Sequence, residues 1–284
     1  MKRITSVFAA AVAAACAGHA APPSAPAPAA VRQPAPPPPA PLRYSTSTGR
    51  YQFQSQSHIE QEMMGQMNSA DVTTGGALTV AVADTSGNLG VAITIDSLAL
   101  TLPPGVPGPD SAALLSARGA MLRIVASPSG EPISFAAPDS SNLAVQQAAA
   151  ALREFLPILP AGVPDSGSSW TDSTTQTIQA QGVPLTIRRT RQHLVLGWET
   201  HAGTRALHLA TSSSYTVTGS GETQGQEIDF NGSGLESGDA YVSAAGVYLG
   251  GTVSDSSLVN ANVVSVGMVI PVRRKTLFTL TRLP

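Results

Sequence analysis

The stretch YQFQSQ at residues 51–56 alternates between side chains that suit a core and glutamines that suit water. In an extended chain Tyr51, Phe53 and Ser55 point to one side, and the three glutamines point to the other. A period of two is typical of a β-strand with one buried and one solvated face. We therefore predict a half-buried strand here, and the same alternation recurs through most of residues 43–284.

Further alternating segments follow, separated by short turn-forming sequences. Residues 89–102 (LGVAITIDSLALTL) alternate in the same way. The Gly-Ser-Gly triplets at 219–221 and 232–234 are interpreted as turns, because glycine readily adopts positive φ. Consecutive strands joined by short connections indicate an antiparallel meander. We predict a mainly β domain over 43–284: a curved antiparallel sheet or incomplete barrel of roughly a dozen strands, with one principal helix packed against it.

That helix is predicted between residues 143 and 156. Residues 139–142 (DSSN) offer N-cap oxygens, and LAVQQAAAALREFL then places apolar side chains at helical spacing. Pro157 would end the helix, because the residue before a proline disfavours the α conformation. We expect the apolar stripe to pack on the sheet; the alternative is that the helix closes the mouth of a curved sheet.

The first 42 residues differ in composition from the rest. Residues 1–20 (MKRITSVFAAAVAAACAGHA) combine a basic start, an uncharged Ala-rich run and small residues, as secretion signals do. Lipoprotein signals resemble the run AAAC that ends at Cys16, so Cys16 is a candidate for lipidation and membrane anchoring; alternatively it is removed with the signal. Residues 21–42 are proline-rich, which predicts a disordered tether. We expect an exported protein: periplasmic, anchored to the outer membrane as a lipoprotein, or secreted.

Composition disfavours several classes of function. The net charge is −2 and charged residues make up 12% of the chain, whereas a nucleic-acid binder would show a basic face. Cys16 is the only cysteine, so the domain has no thiol for catalysis. The motifs GxSxG, SxxK, GxGxxG and HExxH do not occur. We expect no enzymatic activity and no cofactor, the alternative being an enzyme whose site no linear motif shows.

A group of histidines raises the question of a metal site. His193, His201 and His208 fall in one predicted hairpin, with Glu199 nearby. A zinc site needs three or four such ligands to converge. Placement at a turn or on a solvent face is the more common situation for such histidines, so we expect no metal.

Small and flexible residues suggest a ligand. Met63, Met64 and Met67 form an apolar cluster of a kind that suits variable apolar partners, or else fills gaps in a core. Aromatic residues are only 5% of the chain, so a wide interior would be underfilled unless it collapses or binds something apolar. We predict a hydrophobic ligand or lipid, with Met63, Met64, Phe155 and Leu156 as candidate liners. Small inward residues also suit closely packed sheets without a cavity, which would make this a purely structural envelope domain.

Two segments carry a family resemblance. Residues 59–66 (IEQEMMGQ), and residues 167–170 (GSSW) after a proline-rich loop, are similar to a family of uncharacterised bacterial exported proteins. The resemblance covers most of residues 43–284 and implies no catalytic residues, since that family has no established activity. The layout also resembles the lipoprotein-carrier type of fold, an incomplete antiparallel barrel with helical material on its concave face. That likeness implies the binding of acyl chains.

Overall fold

The computed structural model describes residues 40–63, 65–103, 111–138, 142–180, 183–223 and 225–284. The predicted signal with Cys16, most of the predicted tether, Met64 and the side chain of Met63 lie outside this description. Within it, neither of the helices is long and apolar enough to cross a membrane.

In the described part of the chain, eleven strands form a single antiparallel sheet, which confirms the prediction of a mainly β domain. The strands are β1 Ser47–Met63, β2 Gln66–Thr85, β3 Asn88–Thr101, β4 Met121–Ala126, β5 Pro132–Ala136, β6 Ser169–Ala180, β7 Val183–His201, β8 Thr204–Thr223, β9 Gln226–Ser243, β10 Tyr248–Val263 and β11 Met268–Arg282. The helices are α1 Ser111–Ser116 and α2 Leu143–Leu152, and a short 3₁₀ turn spans Val264–Val266.

The strand order is β5-β4-β3-β2-β1-β11-β10-β9-β8-β7-β6, and the sheet is curled into a half-barrel. Most neighbours follow each other along the chain, as short turns dictate. The exception is the pairing of the first strand with the last, in which Phe53 lies opposite Leu280. The two edge strands, β5 and β6, are connected through α2 and the loop that follows it.

The predicted alternation is present in β1. Tyr51 and Phe53 are buried, while Gln52 and Gln54 are exposed. We call the face that carries Tyr51 and Phe53, and that packs on α2, the inner face, and the opposite face the outer face. The pairing registers extend this assignment to every strand, because side chains alternate between the two faces.

The main core lies between α2 and one half of the inner face, called here the lower half. In that half Leu78, Ile93 and Leu122 are fully buried. Ala148 and Leu152 of α2 pack into the same cluster. The expected packing of the helix on the sheet is therefore present.

The helix is shorter than predicted. Asn142 caps it by accepting a hydrogen bond from the N–H of Ala144 at 2.9 Å, within the predicted capping segment. However, α2 ends at Leu152, four residues before the predicted end. Ending there lets Glu154 reach arginines on β7 while Phe155 enters the core, an outcome that helical spacing does not reveal.

The prediction of turns at the two Gly-Ser-Gly triplets was wrong. Residues 219–221 lie inside β8 and residues 232–234 inside β9. The ring of Tyr215 lies over Gly234 on the inner face, where a Cβ would overlap the ring atoms. Glycine at this position therefore makes room for a neighbouring aromatic side chain.

Candidate ligand-binding site

The inner face changes character twice along the long strands. Next to the apolar lower half comes a band of ionisable side chains, called here the polar belt: Glu154, Asp172, Arg189, Arg191, His193, Glu236, Asp255 and Arg274. Beyond the belt lies a second apolar cluster, called here the upper apolar zone: Val183, Leu185, Tyr215 and Val217, with the partly buried Ile178, Ile187, Phe230 and Val259 against them.

Two arginines of β7 organise one side of the belt. Arg189 Nη1 lies 3.0 Å from Glu154 Oε2, and Arg189 Nη2 lies 3.5 Å from Glu236 Oε2. Arg191 also contacts Glu154, and its Nη1 is 3.6 Å from Asp172 Oδ1. Charged groups that are largely buried need oppositely charged partners, because otherwise their loss of hydration is not compensated. The ion pairs therefore allow these charged residues to lie on the inner face.

The two glutamates of this network respond differently to their surroundings. Burial alone would raise the pKa of Glu154, but the hydrogen bond from Arg191 and the charges of Arg191 and Arg189 outweigh burial and lower it. Burial raises the pKa of Glu236, and the same two arginines offset this only in part. Glu154 is therefore the more firmly ionised partner of the arginines.

Asp255 organises the other side of the belt. The hydroxyl of Tyr215 donates to Asp255 Oδ2 at 2.6 Å, and Arg274 Nη2 lies 3.4 Å from Asp255 Oδ1. Burial, reinforced by Asp255, raises the pKa of Tyr215 to about 12. The phenol therefore stays protonated at neutral pH and remains a donor, while its ring belongs to the upper apolar zone.

A carboxylate, an imidazole and a hydroxyl are linked within the belt. His193 Nε2 is 2.6 Å from Asp172 Oδ2, and His193 Nδ1 is 3.1 Å from Thr211 Oγ1. The order resembles that of a catalytic triad, in which the hydroxyl must be open to substrate. His193 is only 4% exposed and stacks on Trp170, with ring centroids 4.9 Å apart. The geometry therefore supports a structural link between β6, β7 and β8 better than it supports a nucleophile.

The histidines considered as metal ligands do not all converge. His193 is on the inner face, whereas His208 bonds Asp239 at 2.9 Å and lies 3.5 Å from Glu199 on the outer face. His201 and His208 both stack on the ring of Tyr241, at centroid distances of 3.7 and 4.5 Å. In the part of the chain that the structure describes, no group of three or more His, Cys, Asp or Glu is arranged to hold a metal ion.

The described candidate liners lie in the main core. Phe155 and Leu156 are 5% and 7% exposed, and the Phe155 ring meets those of Tyr51 and Tyr248 at centroid distances of 5.3 and 5.4 Å. They fill the space between α2 and the lower half of the sheet. Their role as ligand liners stays a prediction, as does that of Met63 and Met64.

Two neighbouring grooves lie on the outer face. The larger, called here the outer groove, has a volume of about 1060 Å³ and is lined by strands β1 and β6–β11. The smaller has a volume of about 410 Å³ and shares His58 and Lys275 with it. Most side chains of the outer groove are hydroxyls or cations, among them Arg188, Arg273 and Lys275. Sequence analysis missed both grooves, since the signal is spread over seven strands.

Comparisons with known proteins identify no family. No family model and no curated protein matches the sequence. Among solved structures, the chain is similar to Pseudomonas aeruginosa OccK2 (OpdF), with 7% identity over 84% of this chain and 98% of that chain and a TM-score of 0.23. Pseudomonas aeruginosa OpdO gives 10% identity, 83% and 97% coverage and a TM-score of 0.21. A DUF1329 family protein from Desulfovibrio piger gives 9% identity, 81% and 83% coverage and a TM-score of 0.12. TM-scores this low carry no conclusion about function, and the resemblance to exported proteins stays a prediction.

Proposed function

We propose that this protein is an exported, non-enzymatic binding module that holds an apolar ligand, such as a lipid acyl chain, against the upper apolar zone. One observation carries the proposal: among the residues that the structure describes, the apolar cluster beyond the belt consists of strand residues alone. In the lower half, α2 and Phe155 cover the sheet, and no described residue of that segment belongs to the upper cluster.

The upper apolar zone has the chemistry that an acyl chain needs. Phe230 and Val259 are partly buried, on neighbouring strands, and so keep some apolar surface open to a ligand, whereas Val217 beside them is itself buried. Each CH₂ group removed from water contributes about 0.8 kcal/mol. The polar belt lies next to this apolar surface on one side. An apolar chain gains no hydrophobic stabilisation by lying over the paired charges of the belt. The ligand would therefore extend away from the belt, toward the end of the half-barrel remote from α2.

The test uses two adjacent positions of β10 that point to opposite faces. Val259→Glu places a charge in the upper apolar zone, whereas Asn260→Glu places the same charge on the outer face. Fluorescence titration with cis-parinaric acid is expected to show binding by the parent protein and by Asn260→Glu. Val259→Glu should bind at least about tenfold more weakly, since burying an unpaired charge is costly. Absence of binding by the parent protein, or equal binding by both variants, would refute the proposal.

A purely structural envelope domain is the second candidate. The observation in its favour is the filled lower half, where Phe155 and Leu156 leave the helix packed directly on the sheet. Native mass spectrometry of protein expressed with a membrane fraction separates the two. A bound lipid mass supports the carrier; consistently ligand-free protein supports the structural domain.

The expected lack of enzymatic activity can be tested at the hydrogen-bonded residues Asp172, His193 and Thr211. A catalytic role for Asp172, His193 and Thr211 would require turnover that Thr211→Val abolishes. We expect no esterase or amidase turnover above background in the parent protein. Measured turnover that is lost in Thr211→Val would establish an enzyme.

Export is proposed from the sequence of residues 1–20. Mass spectrometry of the mature protein is expected to find an N-terminus at Ala21 or an acylated Cys16. Mature protein that retains Met1 would contradict export by this route. If Cys16 is acylated, the proline-rich tether would span up to roughly 70 Å from the membrane, at about 3.1 Å per residue.

A further inference from the structure

The outer groove is formed by strands that are far apart in the sheet. His58 on β1 and Ser173 on β6 line the same space, although β11, β10, β9, β8 and β7 lie between those strands. The sheet therefore bends around the groove at this level. The volume of about 1060 Å³ lies slightly above the range of about 300–1,000 Å³ that is typical of small-molecule pockets. A groove of this size suits an oligomer better than a single small molecule.

Most residues that line the groove belong to the outer face, and the inner-face residues that also line it, among them Arg189, Tyr215 and Arg274, alternate with them along the strands. On β11, Arg273 and Lys275 line it from either side of Arg274, which points to the inner face and contacts Asp255. On β7, Arg188 lines it beside Arg189, which contacts Glu154 on the inner face. The basic residues of these strands therefore form two sets. The cations Arg189 and Arg274 on the inner face are ion-paired, and a second set of cations lies on the outer face.

The outer-face cations of the groove have no ion-pair partner among the described residues. In the parts of the chain that the structure describes, Arg188, Arg273 and Lys275 take part in no ion pair. Glu60 is the one carboxylate lining the groove; it lies 3.5 Å from His58 and, although it is the cross-strand partner of Arg273, makes no ion pair with that arginine. In a chain with only 12% charged residues, three unpaired cations in one groove make a local positive site.

The rest of the lining determines which anion would fit. Hydroxyls from several strands, including Thr190, Ser214 and Ser256, can each donate or accept a hydrogen bond. The described outer-face positions of the groove include no Phe, Tyr or Trp on which nucleobases would stack. Hydroxyls between cations match a sugar chain that carries sulfate, phosphate or carboxylate groups, and arginine pairs with such groups in a bidentate manner.

We propose that the outer groove binds an acidic oligosaccharide, with Arg188, Arg273 and Lys275 pairing with its anionic groups. This site is separate from the apolar site of the proposed function, since the two lie on opposite faces of the sheet. Either can fail without the other, because one is probed by a fatty acid and the other by a charged sugar.

The experiment compares dextran sulfate with neutral dextran of the same length, using isothermal titration calorimetry on the full chain. The parent protein is expected to bind dextran sulfate, with an affinity that falls as salt rises, and not to bind neutral dextran. The groove variant Arg188→Gln/Arg273→Gln/Lys275→Gln should bind at least about tenfold more weakly, which corresponds to about 1.4 kcal/mol.

A matched control removes the same charge elsewhere. Arg50, Arg118 and Arg123 are exposed and do not line the groove, so their triple replacement by Gln should leave binding within about threefold of the parent. An equal loss in both triple variants would show non-specific charge attraction and overturn the proposal. Absence of binding to dextran sulfate, equal binding of neutral dextran, or equally tight binding of a single-stranded oligonucleotide would also overturn it.

Discussion

At the scale of single residues, Glu154 connects the helix-bearing segment to the sheet. It contacts both Arg189 and Arg191, and these arginines hold its pKa below the ordinary value. A carboxyl with a lowered pKa in the folded state stabilises the protein above its unfolded pKa of about 4.3. That contribution disappears as pH falls through the lower, folded pKa.

We therefore expect Glu154→Gln to lower the free energy of unfolding by roughly 1–3 kcal/mol near neutral pH, because a buried arginine loses its ionised acceptor. The difference from the parent should shrink as pH falls below about 4.3, where the unfolded state takes up a proton, and should vanish once pH has passed the lower folded pKa of Glu154. Urea unfolding followed by circular dichroism at a series of pH values measures both effects.

Glu131→Gln provides the control, because Glu131 is exposed and its carboxylate makes no ion pair with another described residue. Its unfolding curve should match the parent at every pH. A Glu154→Gln difference that stays constant down to low pH would show that the carboxylate charge is not what stabilises the fold.

The residues of the polar belt could not be found from sequence. Asp172, His193 and Thr211 meet because β6, β7 and β8 pair in one particular register. A shift of one residue in any strand would send these side chains to the other face. Composition identified the histidines as candidates, but only the register shows which of them face inward.

At the scale of elements, β10 contains a bulge that depends on glycine. The register shifts between Tyr248 and Gly250, and Gly250 has a φ of 110°. A Cβ there would also collide with the backbone carbonyl of Leu280 on β11. Both the backbone conformation and the close approach require that no side chain be present.

Gly250→Ala is expected to destabilise the protein by more than about 2 kcal/mol, since strain at such a φ costs about 1–3 kcal/mol before the collision is counted. Gly162→Ala is the matched control, because a Cβ at Gly162 meets no atom within 4 Å. It should change stability by less than about 0.5 kcal/mol. Equal melting temperatures for the two variants would contradict this account of the bulge.

Most strands were predictable, whereas their ends were not. The alternation in residues 51–56 indicates a strand with one buried face, whichever element packs on that face. The strand β1 could therefore be predicted from sequence. The glycines at 219–221 and 232–234 suit turns locally, yet tertiary packing places them inside β8 and β9. In the same way, contacts of Glu154 with β7 coincide with the early end of α2, and no local pattern contains that information.

At the scale of the whole molecule, the inner face of the sheet has three successive zones along its strands. The lower half is covered by α2, the belt is held by ion pairs, and the described residues of the upper apolar zone all lie on strands. The outer face carries a separate basic groove. The two proposed sites therefore share strands but present opposite chemistry, an apolar surface inside and cations outside.

This layering predicts a gradient of stability along individual strands. In β9, Ala240 and Val242 lie in the half covered by α2, whereas Ile228 and Phe230 lie beyond the belt. All four pair with neighbours on both sides, so hydrogen bonding alone would protect them similarly. Local opening is easier where fewer apolar contacts back the strand, and we expect amides near Phe230 to exchange faster than those near Val242.

Hydrogen–deuterium exchange with mass spectrometry measures this gradient, and a ligand sharpens the test. If an apolar chain occupies the upper zone, cis-parinaric acid should slow exchange near Phe230 and leave exchange near Val242 unchanged, because the lower half is already covered. Uniform protection along β9 without ligand would mean that the half-barrel opens only as one cooperative unit. Slowing confined to the lower half would place the ligand against α2, and would then favour Phe155 and Leu156 as its liners.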